Sequence, residues 1–480
     1  MRTATALLPI VAVLLPIAAL LLPTAASASI DDLDWTGDVR LRLRYVDSAE
    51  PGHIVGTYGE LLTRGFNYRN RFALEVAYPV TGRISVGGKL RVSNEGEIVL
   101  RTGPEYLSSE FGSVFAAYET PALRSRFGYF DISYSPLTLM RWDLNDDPEG
   151  GGGGCAVCPG SPGVAGTIVG ESLEELGPTL TFEGVWAEAT PWDIVGGSGF
   201  YTKSDIATVA GEDIETTPVM TYGAKLDLKH YLTRVSSLIE ASALVVRSEE
   251  DAESDLLGGG STQKLFDNTV YGLVWEVPVA RGLSFGGEWN QTITNNKAGA
   301  APELEGYGGI FSLIAETSGD RKFRFDGAYI YLSPNWDSFF RALSYNANRR
   351  GVRLRLEYSE GRFLVALFAK YLSSIDPGFD PAGADSSILA YPTFSLRGYF
   401  NINEDLTLGL TGIYSGEGAE KDGFTLKTDN RRITYLGTLS YEFGRGARLN
   451  LEERYIQHEF ALEDDYNVSM LSLYLRASIW

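Results

Sequence analysis

From Gly37 to Tyr45 the chain reads G-D-V-R-L-R-L-R-Y. Val39, Leu41, Leu43 and Tyr45 alternate with Asp38, Arg40, Arg42 and Arg44, so an extended segment here has one apolar and one charged face. Arginines turned to lipid near a bilayer midplane would cost about 2–4 kcal/mol each. The charged row therefore faces water, either outside a soluble sheet or inside a membrane barrel. The same two-residue period recurs along the chain, for example at 68–78, 83–93, 111–119 and 124–131, then at 179–189, 235–247, 322–332, 363–372 and 468–480. About twenty such segments are predicted, with boundaries good to about ±2–4 residues. Eighteen strands follow if the weak hairpin at 193–230 is looped out.

Connector length alternates as well. Short turns at 79–82, 120–123, 190–192, 279–282 and 359–362 are interleaved with long polar stretches at 47–67, 94–110, 132–178 and 248–267. Short turns at one end and long loops at the other are the layout of an all-β, antiparallel, up-and-down transmembrane barrel. An even strand number leaves both termini on the short-turn, periplasmic side. A soluble sandwich or propeller is the alternative fold, and it predicts a protein independent of detergent.

The ends and the composition sharpen this picture. Residues 1–28 carry a secretory signal pattern: Arg2, an apolar core from Leu7 to Leu22, and a small-residue cleavage site at Ala26-Ser27-Ala28. The alternative is an uncleaved anchor. Beyond residue 28 no apolar run reaches the ~18–20 residues of a spanning helix, so residues 29–480 would enter a membrane as strands of one barrel. Loss of Arg2 with the signal moves the net charge from −21 to −22, which argues against nucleic acid as a partner. Gly 54, Tyr 26 and Phe 23 suit turns and aromatic girdles, with Trp35, Tyr45, Trp186, Tyr329 and Tyr358 near strand ends.

The motifs G-D-V-R-L-R-L-R-Y at 37–45, R-N-R-F-A-L-E-V at 69–76 and R-S-R-F-G-Y-F-D-I-S-Y at 124–134 resemble those of bacterial outer-membrane porins. Within that group they are most similar to the large monomeric alginate-export-type channels, over the whole of the chain after the signal. The resemblance implies a bacterial outer-membrane barrel, preferably a monomer, with lipid and lipopolysaccharide around it. It also implies that the terminal aromatic, here Trp480, is read by the barrel-insertion machinery. The apolar row Leu471, Leu473, Leu475, Ala477 and Ile479 is out of phase with Trp480, a departure from the pattern.

Turning each apolar row to lipid yields a set of inward candidates. The basic ones are Arg40, Arg42 and Arg44, then Arg69 and Arg71, then Arg83, Lys89 and Arg91, and across the closure Arg448, Arg454 and Arg476. Half a circumference away the inward rows carry Glu276, Glu288, Glu316 and Asp326, interrupted by Arg324. Opposed walls of charge would set a transverse field across a watery bore. The plainer reading is that such charges pair along the wall.

The 132–178 connection is the candidate constriction loop, with Tyr134, Arg141, Trp142 and Asp143 at its start; an ordinary outside loop is the alternative. Asp143, Asn145 and Asp147 offer oxygen ligands for calcium, although Pro148 and Gly154 break the EF-hand pattern. Cys155 and Cys158 suit a local disulfide in an oxidising compartment better than a zinc or redox site. The pattern allows short helices at 171–176 and 336–346.

The function expected is passive diffusion of small polar or anionic solutes through an arginine-lined lumen, without enzymatic chemistry or a required cofactor. The alternatives are an adhesin or structural barrel working through its loops, and an outer-membrane hydrolase. The last needs a base beside a nucleophile, and His53, His230 and His458 have no serine motif to pair with.

Overall fold

The computed structural model describes residues 33–48, 65–97, 106–140, 180–210, 213–232, 237–250, 266–296, 303–338, 340–341, 345–376, 389–421, 425–443, 446–460 and 466–479. Some strand-end side chains, including those of Arg69, Arg71, Arg91 and His458, lie outside that description. So do the signal at 1–28, His53, Arg141, Trp142, Asp143, Asn145, Asp147, Cys155, Cys158, the 171–176 segment and Trp480.

The described residues form twenty strands. The first ten are β1 (Asp34–Ser48), β2 (Gly65–Pro79), β3 (Ile84–Glu97), β4 (Tyr106–Glu119), β5 (Leu123–Ile132), β6 (Leu180–Trp192), β7 (Val195–Ala210), β8 (Asp213–Leu232), β9 (Ser237–Glu250) and β10 (Phe266–Ala280). The second ten are β11 (Leu283–Asn296), β12 (Leu304–Glu316), β13 (Arg321–Leu332), β14 (Arg349–Glu360), β15 (Phe363–Ser374), β16 (Leu389–Asn401), β17 (Leu406–Lys421), β18 (Thr425–Phe443), β19 (Ala447–Phe460) and β20 (Tyr466–Ile479). The weak hairpin at 193–230 forms β7 and β8, so the barrel has twenty strands and not eighteen.

Each strand pairs antiparallel with the next, and β20 closes on β1 over Gly37↔Ile479 to Ser48↔Val468. The β20–β1 pairing leaves neither terminal strand with a free edge whose backbone groups would go unbonded in lipid. The short turns are capped by their own side chains. Thr81 Oγ accepts from the N–H groups of Arg83 and Ile84, and Asn403 Oδ1 accepts from those of Asp405 and Leu406. Gly282 (φ 73°) sits in the tight β10–β11 turn, a backbone conformation that other residues resist. Outward rows are apolar and exposed, as with Leu41 and Leu43 on β1, Tyr271 and Leu273 on β10, and Leu471 and Leu473 on β20.

The inner face departs from a simple polar lining. Among the described residues, two apolar clusters lie on it. One joins Phe130, Ile132, Phe182, Phe200 and Val246 of β5, β6, β7 and β9 with Leu139. The other joins Ile310, Ala328, Ile330, Leu332 and Leu372 of β12, β13 and β15 with Leu137, Trp336 and Tyr345. Trp186 belongs to the first cluster and faces inward opposite Phe200, not outward in a girdle. What buries these inner apolar rows is the chain itself: residues 133–140 after β5 and the described residues of 333–348 between β13 and β14 fold against the inside of the wall. No described residue of the 336–346 segment is helical. It runs through a parallel bridge between Leu139 and Phe340, and Asn348 follows it at φ 59°.

Candidate functional site

The polar inner row of β11 is the anchor for both inward segments. Glu288, Asn290, Thr292 and Thr294 point the same way at two-residue spacing, and all are buried. Glu288 accepts from Ser135 Oγ (2.6 Å), Thr138 Oγ1 (3.1 Å) and the Leu137 N–H (3.1 Å). Asn290 donates to the Leu137 carbonyl and accepts from Trp336 Nε1 at 2.8 Å, so one amide holds both segments. Thr292 Oγ1 accepts from the Asp337 N–H, and Asn268 on β10 donates to the Asp337 carbonyl at 2.7 Å. The segments also bind each other: the Met140 N–H donates to the Phe340 carbonyl at 2.9 Å.

Glycines on β12 make the room. A Cβ at Gly306 would lie 2.3 Å from Trp336 Cα, and one at Gly308 would lie 2.6 Å from Trp336 Nε1. Tyr134 packs edge-on to Phe200 and accepts from Ser198 Oγ; burial pushes its phenol up to about 12. Arg341 donates to the Tyr345 carbonyl at 2.6 Å and to Asp337 at 3.3 Å, while burial pulls its pKa down.

Across the bore, β1 presents Arg40, Arg42 and Arg44 on the inner face, all nearly buried. Strand pairing sets Arg40 opposite Arg71 on one side and Arg476 on the other, and Arg42 opposite Arg69. Arg448 lies opposite Arg476, and Arg454 is on the same inner row of β19. The Arg42 guanidinium stands 5.1 Å from the Tyr474 ring centre, and Arg44 Nε donates to Ser472 Oγ at 3.0 Å. Several of these charges have a carboxylate two positions along their own strand, where a strand returns to the same face: Arg40 with Asp38, and Arg454 with Glu452 at 3.2 Å. Lys89 shares the inner face with Glu75, its partner across β2–β3, and Arg91 pairs with Ala73 in the same ladder. Arg83 does not belong to the wall. It is an exposed residue of the turn before β3, held there by the Thr81 cap.

Strand register sets Glu276, Glu288, Glu316 and Asp326 on one inner face, but two of these carboxylates are engaged within the wall. Asp326 is 2 % exposed and its carboxylate lies 3.5 Å from Arg353, an inner-face residue of β14. Glu288 is engaged by the 133–140 segment. Glu276 and Glu316 sit near the short-turn ends, with Glu316 opposite Arg324. Beside them β14 adds Arg353 and Arg355, β15 adds Lys370, β16 Arg397 and β18 Arg432, so the basic inner face runs well beyond β1. The parity rule contains this signal at Arg353 and Arg355, which alternate with Val352, Leu354 and Leu356. Lys370 carries no such signal, because both faces of β15 are apolar around it.

No family model matches this chain, and no curated protein matches it. Among solved structures the chain is similar to proteins of Pseudomonas aeruginosa, among them the outer membrane protein OpdK. OpdK matches at 12 % identity and TM-score 0.44, with 93 % of this chain and 99 % of that one covered. OpdQ matches at 11 % and 0.44, covering 94 % and 99 %. OprD matches at 12 % and 0.43, covering 95 % and 98 %. The barrel assignment stands on the strand pairing itself: twenty antiparallel strands, closed, with apolar rows outward and charged rows inward.

Proposed function

We propose that this protein is a passive outer-membrane channel for small polar or anionic solutes. The observation that carries the reading is the inner-face basic ladder Arg40, Arg42, Arg44, in register with Arg71, Arg69 and Arg476, across a bore narrowed by two chain segments docked on β11. Fixed cations on a wall of low dielectric raise the local concentration of anions and replace part of their hydration. The 133–140 segment, as the first part of the 132–178 constriction loop, sets the size limit together with 333–348. The alginate-export-type resemblance of the strand motifs adds an acidic sugar as one cargo this ladder suits. In the same reading residues 1–28 direct export, and Trp480 presents the chain to the insertion machinery.

The test is ion selectivity of the refolded barrel in a planar bilayer under a salt gradient. An anion-leaning reversal potential that weakens in Arg40→Gln/Arg42→Gln/Arg44→Gln supports the reading. An unchanged potential in that variant would remove the ladder from the mechanism.

A further inference from the structure

The wall is not uniformly zipped. β4 and β5 pair only over Phe115↔Gly128 to Glu119↔Arg124, five residue pairs, whereas a membrane strand takes about 9–11 residues to cross. Above Phe115, β4 continues to Tyr106 and stays paired with β3, and β5 continues to Ile132 and stays paired with β6. Among the described residues nothing pairs the β5-side edge of β4 from 106 to 114. Roughly half the seam that crosses the hydrocarbon lacks its ladder.

The side chains show how the two strands pass each other. Lys89 shares the inner face of the barrel with Glu75, its partner across β2–β3. Tyr129 alternates with the inward Phe130, so it belongs to the outward row of β5. Yet the Tyr129 hydroxyl accepts from Lys89 Nζ at 2.6 Å, and the residue is only 5 % exposed. An inner-row amine of β3 meets an outer-row ring of β5 only where the upper half of β5 runs inside β3 and β4. Gly128 (φ 99°) makes the step, and a Cβ there would fall 2.0 Å from the Val114 carbonyl oxygen. The strands overlap as a shingle, with the upper half of β5 lying inside β4.

The seam has a polar inner lip and an apolar outer lip. Inside are Lys89, the Tyr129 hydroxyl with Asp131 at 3.3 Å, and Arg126, which lies 3.6 Å from the Phe115 ring centre and pairs with Glu75 at 3.1 Å. Outside, Val114 is 62 % exposed and Phe127 68 %. We propose that this seam is a lateral passage between lumen and outer leaflet for a monocarboxylate with an apolar tail. The carboxylate takes the place of Tyr129 on Lys89, and the tail leaves past Val114 and Phe127 into lipid. The passage rests on the barrel being embedded in a bilayer and not on the ladder of β1, so ion selectivity can fail while the passage stands.

The experiment uses the full chain reconstituted in phosphatidylcholine vesicles. Continuing the β4–β5 register upward would set Gly112 opposite Asp131, as Tyr118 is opposite Ser125 in the paired half. Two double-cysteine variants, Gly112→Cys/Asp131→Cys and Tyr118→Cys/Ser125→Cys, are oxidised, and the unsubstituted protein is photolabelled with a decanoate carrying a tail diazirine. The upper pair is expected to give about tenfold less cross-link than the lower, since Cα atoms more than about 7 Å apart cannot be bridged. The label is expected on the peptides holding Val114 and Phe127, and to be lost in Lys89→Met. Equal cross-linking of both pairs means that the seam zips in lipid and overturns the proposal. An open seam without decanoate label means that another part of the chain covers it, which overturns the passage.

Discussion

Glu288 shows how much one inner-row side chain can hold. Its carboxylate gathers two hydroxyls and a backbone N–H from a single turn of 133–140. In Glu288→Ala those donors keep their burial and lose their acceptor, at about 1–3 kcal/mol for each group left unsatisfied. The barrel ladder is untouched by this change. We expect a larger single-channel conductance with unchanged heat-resistant mobility of the folded barrel, and Glu288→Gln to fall between. Arg353 is the opposite case, a charge whose loss harms stability. Arg353→Met removes the ion pair to buried Asp326 and leaves it only Arg355, opposite on β14, so the change should cost up to about 3–5 kcal/mol in urea unfolding from lipid vesicles, and Arg353→Met/Asp326→Asn should recover most of it. Tyr134 adds a pH dependence. Its phenol ionises near 10 when exposed and at about 12 in place, so its contribution to loop docking is whole below pH 10 and is lost as pH rises through about 12. A Tyr134→Phe variant should lack that slice of alkaline loosening in a conductance titration.

At the scale of elements, alternation makes the strands legible and also hides what covers them. The two faces of β1 are legible at once, and within a membrane barrel its apolar row can face only lipid, which turns the charged row inward. β5, β7 and β15 carry apolar residues on both faces, and their inner rows make sense only once 133–140 and 333–348 are laid on them. Those segments have little local signal of their own. The pattern allows a short helix over 336–346, but the Trp336 ring is claimed by Asn290 and by the hollow over Gly306 and Gly308, contacts that are distant in sequence. Parity places Glu288 and Asp326 on the inner face, yet their charge is taken up by the loop and by Arg353, which parity cannot foresee. The glycines offer an element-level test. Gly306→Ala puts a methyl 2.3 Å from Trp336 Cα and should displace 333–348, raising conductance. Gly398→Ala on β16 meets nothing within 4 Å and should leave conductance as it was.

For the whole molecule, the arrangement is an asymmetric bore. One arc of wall is covered by its own connections, and the arc from β13 through β20 to β3 carries the basic inner rows. The acidic net charge of −21 is compatible with this, because the basic residues lie inside while the acid-rich stretch 249–255 falls in or beside a long connection. Charge sorted in this way should govern permeation more than total charge does. The most direct test is the zero-current potential of single channels across a tenfold salt gradient. The account predicts an anion-leaning potential that moves towards zero when Arg40, Arg42 and Arg44 are replaced together by glutamine. A cation-leaning potential, or one unmoved by that triple replacement, would contradict it.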